Sequence, residues 1–338
     1  MNDFNAEDYR LPAERNKHIF RQRIVPDLLE GKTPQKRPTA LFLISQPGSG
    51  KSRLQKEVER PLLEQGGYVD LDSDLYKPYH DDYDALMQRD DKLMTAATRA
   101  DGREWMRLAA EYARERNLNV IVQDTAQNPE YSAQMMESYR QKGYNVTAEL
   151  MAVDKTLSDQ GINARYFEQV RDRGAGRLTV QEAADRSYEG TQGLAQIIED
   201  KPGLVERARM WRRGENTPCY DTADSRWKGK SLAKTLRHER EERPWTPETV
   251  TGFQQTQERM KSPQSPEVQA KLGQDWPSRM ADLDERAKPK IATAKAAEAV
   301  RRASRGGPSA GKPMDLRARA SARKGSPSPP PKGPEIER

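Results

Sequence analysis

The chain has 338 residues, of which 34% are hydrophobic and 33% are charged, and this polar balance excludes an ordinary globular core along its whole length. Its single cysteine, Cys219, excludes an internal disulfide framework and a cysteine-based zinc site. No apolar stretch approaches the roughly 20 residues that a membrane helix needs, and the first residues lack a secretory pattern. We therefore expect a cytoplasmic protein without a membrane partner, with export as an effector as the alternative.

The charge is distributed unevenly along the chain. Residues 286–338 contain 14 Lys and Arg against 4 Asp and Glu, a net charge of +10, so the other 285 residues carry −4 of the total +6. The high pI therefore belongs to the tail and does not indicate a nucleic-acid-binding domain at the front. We predict a folded domain over residues 1–240 and a low-complexity, largely disordered basic tail over residues 241–338.

Helices and strands are predicted to alternate along the first 200 residues. Apolar periodicity and Gly/Pro breaks predict helices over residues 13–30, 53–65, 83–97, 103–116, 129–142, 156–173 and 179–198, and strands over residues 40–44, 68–71, 119–122 and 146–153. Strands that are separated by helices pair in parallel through crossovers. The predicted fold class is therefore α/β, a P-loop NTPase-type parallel sheet flanked by helices, followed by a helical lid region.

The segment after the first predicted strand resembles a phosphate-binding loop. It fits the pattern G-x-x-x-x-G-K-[ST], except that Ser45 occupies the first position instead of glycine. Small residues let backbone N–H groups surround the phosphate oxygens, while the lysine reaches the β- and γ-phosphates and the hydroxyl holds Mg²⁺. A plain Gly/Pro turn is the alternative, but the preceding strand and following helix favour a nucleotide site. The predicted nucleotide-binding residues are Gln46, Pro47, Gly48, Ser49, Gly50, Lys51 and Ser52, with Ser52 on the metal.

Polar residues follow the second and third predicted strands, at the edge where an open parallel sheet places its active site. Asp72 and Asp74 come after the second strand and could supply a general base or a water-mediated magnesium contact. A solvated loop or a helix cap is an equal alternative for this pair. Asp124 ends the third strand like a Walker-B acid, and capping of the next helix is its alternative.

Arginines are concentrated in the helical segment after the fourth predicted strand. A guanidinium stabilises the charge that phosphoryl transfer spreads over the moving group, although a single helical arginine is more often a solvated charge. The candidates are Arg165, Arg171, Arg173, Arg177 and Arg186. Arg177 is favoured, because Gly174-Ala175-Gly176 forms a hinge before it and a new helix begins after it, as in a lid.

Four ordered pieces of the chain resemble the zeta toxin family, the P-loop kinases of bacterial toxin–antitoxin systems. They are the loop 46–52; Asp72-Ser73-Asp74 followed by His80; the strand end Gln123-Asp124-Thr125; and Arg165-Tyr166 followed by Arg177. The resemblance extends over residues 20–198. Each piece is modest alone, but their order and spacing together are specific.

The resemblance implies a role for each matching residue. Asp74 would be the base that takes a proton from a sugar hydroxyl of the substrate. Lys51 and Ser52 would serve ATP and Mg²⁺, and Arg165 and Arg177 would clamp the transferring phosphate. Characterised members of the family phosphorylate UDP-N-acetylglucosamine, which blocks cell-wall precursor synthesis, so the same reaction class is implied here. The implied substrate-contact residues are Asp74, His80, Gln123 and Thr125.

One departure from the family bears on the substrate. Where the family usually has Glu-Gly-Thr, this chain has Gln123-Asp124-Thr125, which replaces an acceptor-only carboxylate by an amide that both donates and accepts. A change of polar partner can reject a ligand by orders of magnitude. UDP-N-acetylglucosamine is therefore the first candidate acceptor, and another nucleotide-containing molecule such as NAD is the alternative.

Two further alternatives concern nucleic acid and the tail. The protein could phosphorylate a polynucleotide 5′ end, or be a nucleic-acid-associated protein whose P-loop organises binding, but neither a base such as Asp74 nor the arginine clamp is needed by a binding switch. The basic tail could bind nucleic acid weakly through phosphate contacts, dock a partner, serve translocation, or only solubilise the protein. No antitoxin segment is visible in the chain, so an inhibitor would be a separate protein.

Overall fold

The computed structural model describes residues 4–89 and 91–305. The compact unit that ends at Ala294 is built around one sheet. Its strands are β1 (Thr39–Ile44), β2 (Val69–Leu71), β3 (Val120–Asp124), β4 (Asn145–Met151), β5 (Arg207–Trp211) and β6 (Tyr220–Asp221). They lie in the order β2-β3-β1-β4-β5-β6. All neighbouring strands run parallel except β5 and β6, which pair antiparallel. The predicted α/β class and the four predicted strands are confirmed.

Helices precede, connect and follow these strands. They are α1 (Ala13–Ile19), α2 (Lys51–Val58), α3 (Arg60–Glu64), α4 (Ser73–Tyr76), α5 (Tyr83–Arg89), α6 (Asp91–Ala97), α7 (Arg99–Glu115), α8 (Pro129–Gln141), α9 (Lys155–Arg173), α10 (Gln181–Asp200), α11 (Leu232–Arg237), α12 (Pro247–Lys261), α13 (Pro266–Leu272) and α14 (Trp276–Arg305). The first helix continues as π-helical turns over Phe20–Leu29. None of the described helices is long and apolar enough to cross a membrane.

The sheet is covered by apolar residues on both faces because its central strand alternates between them. On β1, Phe42 packs in the main core with Met136 of α8, whereas Leu43 packs in a second cluster with Leu54 of α2. A central parallel strand is buried on both faces and therefore consists of a continuous apolar run. The chain leaves this strand between the two helical layers, which places the phosphate loop at the carboxyl edge of the sheet.

Strands β5 and β6 were not predicted from the sequence. β5 has the sequence Arg-Ala-Arg-Met-Trp and is too short and too charged for its alternation to stand out. It is specified by β4, where the buried Glu149 accepts hydrogen bonds from Arg209 at 2.6 Å and from the Trp211 indole Nε1 at 2.6 Å. A buried carboxylate needs such partners. The strand therefore depends on a contact about 60 residues away in sequence.

The predicted boundary at residue 240 is wrong. Residues 1–294 form one compact unit, and α12, α13 and the first part of α14 pack on α9. The Trp276 ring stacks on Phe167 with centroids 6.1 Å apart, and its indole N–H donates to the Met260 carbonyl at 3.1 Å. The sparse apolar residues of these helices form one cluster with α9, so a polar composition here is not a sign of disorder. The predicted disorder of residues 306–338 lies outside the described residues.

Candidate active site

The phosphate loop lies between the end of β1 and the start of α2. Gly48 and Gly50 have φ of +74° and +93°, a left-handed conformation that favours glycine. A Cβ on Gly48 would also come within 2.1 Å of the Ser158 carbonyl oxygen on α9. Ser45, by contrast, has no positive φ and its N–H donates to the Asp124 carbonyl at 3.0 Å. The loop therefore tolerates serine at its first position, because the backbone of that residue still bonds to β3 and needs no positive φ.

Arg213, which sequence reasoning missed, binds backbone carbonyls of the loop. Its guanidinium donates to the carbonyls of Gly48, of Ser49 at 3.3 Å, and of Leu157 at 3.0 Å. Burial lowers the pKa of this guanidinium. Arg213 follows β5, so no local pattern could have indicated a contact with a loop about 165 residues earlier. Because these carbonyls accept from Arg213, the conformation of the loop is fixed, and Arg213 itself lines the cleft beside it.

The residues of the loop fit a bound triphosphate. The Gln46 amide nitrogen donates to the Val153 carbonyl at 2.9 Å and to the Ser158 hydroxyl at 2.8 Å, which fixes the loop to the start of α9. The Ser49 hydroxyl is buried and has no hydrogen-bond partner among the described residues. Lys51 and Ser52 open α2 and line the same cleft. This cradle of glycines, an unsatisfied hydroxyl and a helix N-terminus suits phosphate oxygens and Mg²⁺.

The two aspartates after β2 do different things. Asp72 caps α4, because its carboxylate accepts the N–H of Asp74 at 2.9 Å. The carboxylate of Asp74 instead accepts from Lys77 Nζ at 2.8 Å and from the guanidinium of Arg177. Burial alone would raise the pKa of Asp74, but the two cations outweigh it and lower the pKa to about 2. The helix-cap interpretation thus applies to Asp72, while Asp74 stays the candidate base.

Of the five candidate arginines, Arg165 and Arg177 line the cleft. Arg165 donates to the Thr179 hydroxyl at 3.0 Å, and burial, then the nearby Arg177, lower its pKa. The backbone N–H of Arg177 donates to the Gln169 side chain at 2.8 Å, so the segment after α9 folds back along that helix. The remaining three, Arg171, Arg173 and Arg186, are exposed.

The residues that end β3 also line the cleft. One carboxylate oxygen of Asp124 accepts the N–H of Ala126 at 2.7 Å, and the other is buried without a partner among the described residues. The alternative of helix capping does not apply, because Asn128 caps α8. Thr125 lies beside Asp124 in the cleft and accepts a hydrogen bond from Gln127 at 3.3 Å.

Gln123 belongs to a network that sequence reasoning missed. Its amide nitrogen lies 2.6 Å from the Gln55 carbonyl oxygen, and 3.2 and 3.3 Å from the two carboxylate oxygens of Asp70. Gln55 in turn donates to Asp70 at 2.7 Å. Burial raises the pKa of Asp70 to about 6, with the Gln55 hydrogen bond opposing the shift and the Asp72 charge adding to it. The available signal in the sequence was Asp70, a charged residue in the middle of the short strand β2.

The structure does not place His80, an implied substrate contact, in the cleft. The imidazole is fully buried, its Nε2 lies 3.0 Å from the Tyr9 carbonyl, and its Nδ1 accepts the N–H of Asp82 at 3.2 Å. It also lies 3.4 Å from the carboxylate of Asp101 and outside the cleft. His80 therefore fixes the loop after α4 to the N-terminal segment of the chain.

One cleft of about 2000 Å³ is lined by the phosphate loop and by the candidates Asp74, Gln123, Asp124, Thr125, Arg165 and Arg177. It extends from the phosphate loop past β3 to α7 and α8, where the Tyr131 side chain is 60% exposed. Ligand pockets for one drug-sized molecule measure about 300–1000 Å³. The cleft is therefore large enough for two ligands side by side.

A phosphate loop after a central parallel strand, with helices on both faces, defines a P-loop fold. The chain belongs to the zeta toxin family, whose family model matches residues 26–225. This confirms the resemblance inferred from the sequence. Family membership implies an ATP-dependent phosphotransferase of the kinase-like toxin type.

Curated relatives and a solved structure agree with this assignment. The chain is 24% identical over 211 residues to toxin zeta of Enterococcus hirae, covering 61% of this chain and 72% of that protein. It is 23% identical over 230 residues to toxin PezT of Streptococcus pneumoniae, covering 67% and 85%. A structure of the PezAT chromosomal toxin–antitoxin system of Streptococcus pneumoniae matches with a TM-score of 0.63 at 20% identity, covering 74% of this chain and 97% of that one.

Proposed function

We propose that this protein transfers the γ-phosphoryl group of ATP to a hydroxyl of a nucleotide-containing small molecule and thereby acts as a toxin or effector. UDP-N-acetylglucosamine is the acceptor we name first, as the family resemblance implies. The observation that carries the proposal is the placement of Asp74, with its partner Arg177, in the same cleft as the phosphate loop. A carboxylate there suits a hydroxyl base, which a nucleotide-binding switch does not need.

The phosphate loop would hold the nucleotide. When bound, ATP supplies the phosphoryl group, and Mg²⁺ neutralises charge on its oxygens. Lys51 would contact the β- and γ-phosphates, and the Ser52 hydroxyl would hold the metal. The cradle would be formed by Gln46, Pro47, Gly48, Ser49 and Gly50, and it is kept in place by the bonds from Arg213 to the loop carbonyls.

Asp74 would accept the proton of the acceptor hydroxyl while the new bond from that oxygen to phosphorus forms and the bond from phosphorus to the ADP oxygen breaks. In the structure Arg177 and Lys77 lower the pKa of Asp74 to about 2, which makes the carboxylate a weak base. An arginine that leaves Asp74 for the phosphoryl group would raise that pKa and at the same time stabilise the transition-state charge. Arg177 and Arg165 are thus proposed to act together as the clamp.

The acceptor would occupy the part of the cleft near α7 and α8. Its volume beyond a single nucleotide supports a second substrate of similar size, and the exposed ring of Tyr131 offers a face on which a base could stack. Gln123 and Thr125 lie between this region and the phosphate loop and would contact the acceptor. NAD and a polynucleotide 5′ end are the other acceptors that the site leaves open. A separate antitoxin protein is proposed as partner.

A direct test incubates the full chain with ATP, Mg²⁺ and one acceptor at a time: UDP-N-acetylglucosamine, other UDP-sugars, NAD and a 5′-hydroxyl oligonucleotide. Products are identified by mass. We expect one acceptor to gain a phosphoryl group with wild type and not with Asp74→Ala. Asp172 is an exposed carboxylate in the last turn of α9. Asp172→Ala is therefore the matched control and should retain turnover. Tight ATP binding without any phosphorylated product would favour a P-loop binding protein instead.

A further inference from the structure

The Gln123 side chain lies between two elements that fix it. Asp70 on β2 pairs with Ile121 on β3, and Gln123 follows two residues later on the same face of that strand. This face is covered by α2, from which Gln55 reaches the same point. All three polar residues line the cleft.

A primary amide has two N–H donors and one carbonyl acceptor. The Gln123 nitrogen lies 2.6 Å from the Gln55 carbonyl oxygen, and 3.2 and 3.3 Å from the Asp70 carboxylate oxygens, so both donors are used. Within residues 4–89 and 91–305, no group donates to the Gln123 carbonyl oxygen. The Gln123 amide therefore presents a hydrogen-bond acceptor, its carbonyl oxygen, to the cleft and no hydrogen-bond donor.

Asp70 determines this orientation. An ionised carboxylate only accepts, so Gln55, which lies 2.7 Å away, must turn its amide nitrogen toward Asp70 and its carbonyl toward Gln123. A reversed Gln123 amide would place its oxygen against the Gln55 oxygen and the carboxylate, and both contacts would be repulsive. The charge of one buried carboxylate thus sets the direction of two neutral amides.

We propose that Asp70 is a positioning residue that holds Gln123 with its carbonyl toward the acceptor substrate, so that the site selects a ligand with a hydroxyl or amide N–H donor at this point. This inference rests on the proposed kinase function for its consequence but not for its geometry. Asp70 does not itself contact the substrate in this arrangement. It acts through Gln55 and Gln123.

The arrangement implies a pH dependence. Burial raises the pKa of Asp70 to about 6, and the charged or titratable groups that face it are Lys51, Asp72, Tyr68 and Tyr76. As the pH falls through this value, Asp70 gains a proton, loses acceptor capacity, and no longer requires the two amide nitrogens. The Gln123 carbonyl should then be held less firmly toward the acceptor substrate.

Side-chain amide NMR of the full chain tests the positioning without any substrate. The Gln55 and Gln123 signals are assigned by their loss in Gln55→Met and Gln123→Met. We expect the side-chain NH₂ protons of Gln55 and Gln123 to exchange slowly with solvent, and their signals to shift together near pH 6. In Asp70→Asn we expect neither behaviour. A Gln123 signal that is the same in wild type and Asp70→Asn overturns the proposal. If Asp70→Asn does not fold, the wild-type titration decides alone, because Gln123 amide signals that do not move near pH 6 also overturn the proposal.

Kinetics with the acceptor found in the product assay test the consequence. Asp70→Asn and Gln123→Met should each raise the KM for the acceptor about tenfold, the effect of one lost hydrogen bond, with the KM for ATP unchanged. The double variant should be no worse than Gln123→Met, because Asp70 acts through that residue. Additive effects, or an unchanged acceptor KM, overturn the role. If no acceptor is phosphorylated, the proposed function fails, while the amide titration still decides the positioning.

Discussion

The carboxyl edge of the sheet and the helices on α9 are both parts of one compact unit, yet they differ in how the chain encodes them. At the sheet edge, the loop 46–52 and the strand before it form a continuous motif. In the second region, α12, α13 and α14 spread their apolar side chains over about 45 residues of polar sequence. One region is specified locally, and the other only through its contacts.

This difference explains why the composition of residues 247–294 predicted disorder where the structure has helices. Phe253, Met260 and Met280 are nearly fully buried although their neighbours are polar. Each helix contributes a narrow stripe, and α9 supplies the facing apolar surface from Phe167 and Val170. A segment that cannot fold alone can therefore still be ordered, because the partner surface lies elsewhere in the chain.

The largest expected effect comes from a variant at the carboxyl edge of the sheet that leaves the helices on α9 unchanged. Lys51→Ala should lower phosphoryl transfer about 10³-fold, or about 4 kcal/mol of transition-state stabilisation, because the cation at the phosphates is lost. Lys56→Ala, exposed on the same helix α2, is the matched control and should retain turnover. Thermal unfolding should be the same for both. Equal activity of the two variants would contradict the role of the loop.

The next variant breaks the helices on α9. Trp276→Ala removes a buried ring that stacks on Phe167, and should cost about 3 kcal/mol of unfolding free energy. Trp276→Phe keeps a ring but loses the N–H bond to Met260, and should cost less. Chemical denaturation measures both. An unchanged midpoint for Trp276→Ala would show that these helices add nothing to the stability of the unit.

Arg213→Ala sharpens the comparison, because it tests a long-range contact at the locally encoded edge. Without its bonds to the carbonyls of Gly48 and Ser49, the loop should lose order and ATP affinity should fall about tenfold. Calorimetric titration with ATP measures this. Arg212→Ala, the neighbouring arginine that pairs with Glu239 instead, is the control and should bind ATP like wild type. Equal loss in both variants would indicate a general destabilisation.

The smallest expected effect concerns Asp74 in the ligand-free protein. Its pKa is lowered to about 2 from the ordinary 3.8, so its ionised form stabilises the folded state above about pH 4, and this contribution is lost as the pH falls toward 2. The side chain is 44% exposed, so solvent screening leaves about 1 kcal/mol. The difference in unfolding free energy between wild type and Asp74→Asn should therefore shrink from pH 5 to pH 2. If this free-energy difference instead grew from pH 5 to pH 2, the pKa of Asp74 would be raised in the folded state, and the prediction would be contradicted.

Several parts of the site could be predicted because strand ends converge in a parallel sheet. Asp74 follows β2 and Asp124 ends β3, and both reach the cleft that Lys51 also lines. His80 follows the same strand as Asp74 but faces away, because its short helical segment turns it toward Tyr9. Sequence proximity to a strand end thus places a residue near the edge but does not fix the direction of its side chain.

The sequence by itself determined the order of the first four strands and of the longer helices between them, the phosphate loop and the family, because these features depend on local periodicity and spacing. Only the tertiary structure decided that Arg213 holds the loop, that Asp70 and Gln55 orient Gln123, and that α12 and α14 cover α9. The reason is physical: each of these contacts joins residues far apart in the chain, and burial and hydrogen-bond geometry arise only where the fold brings them together.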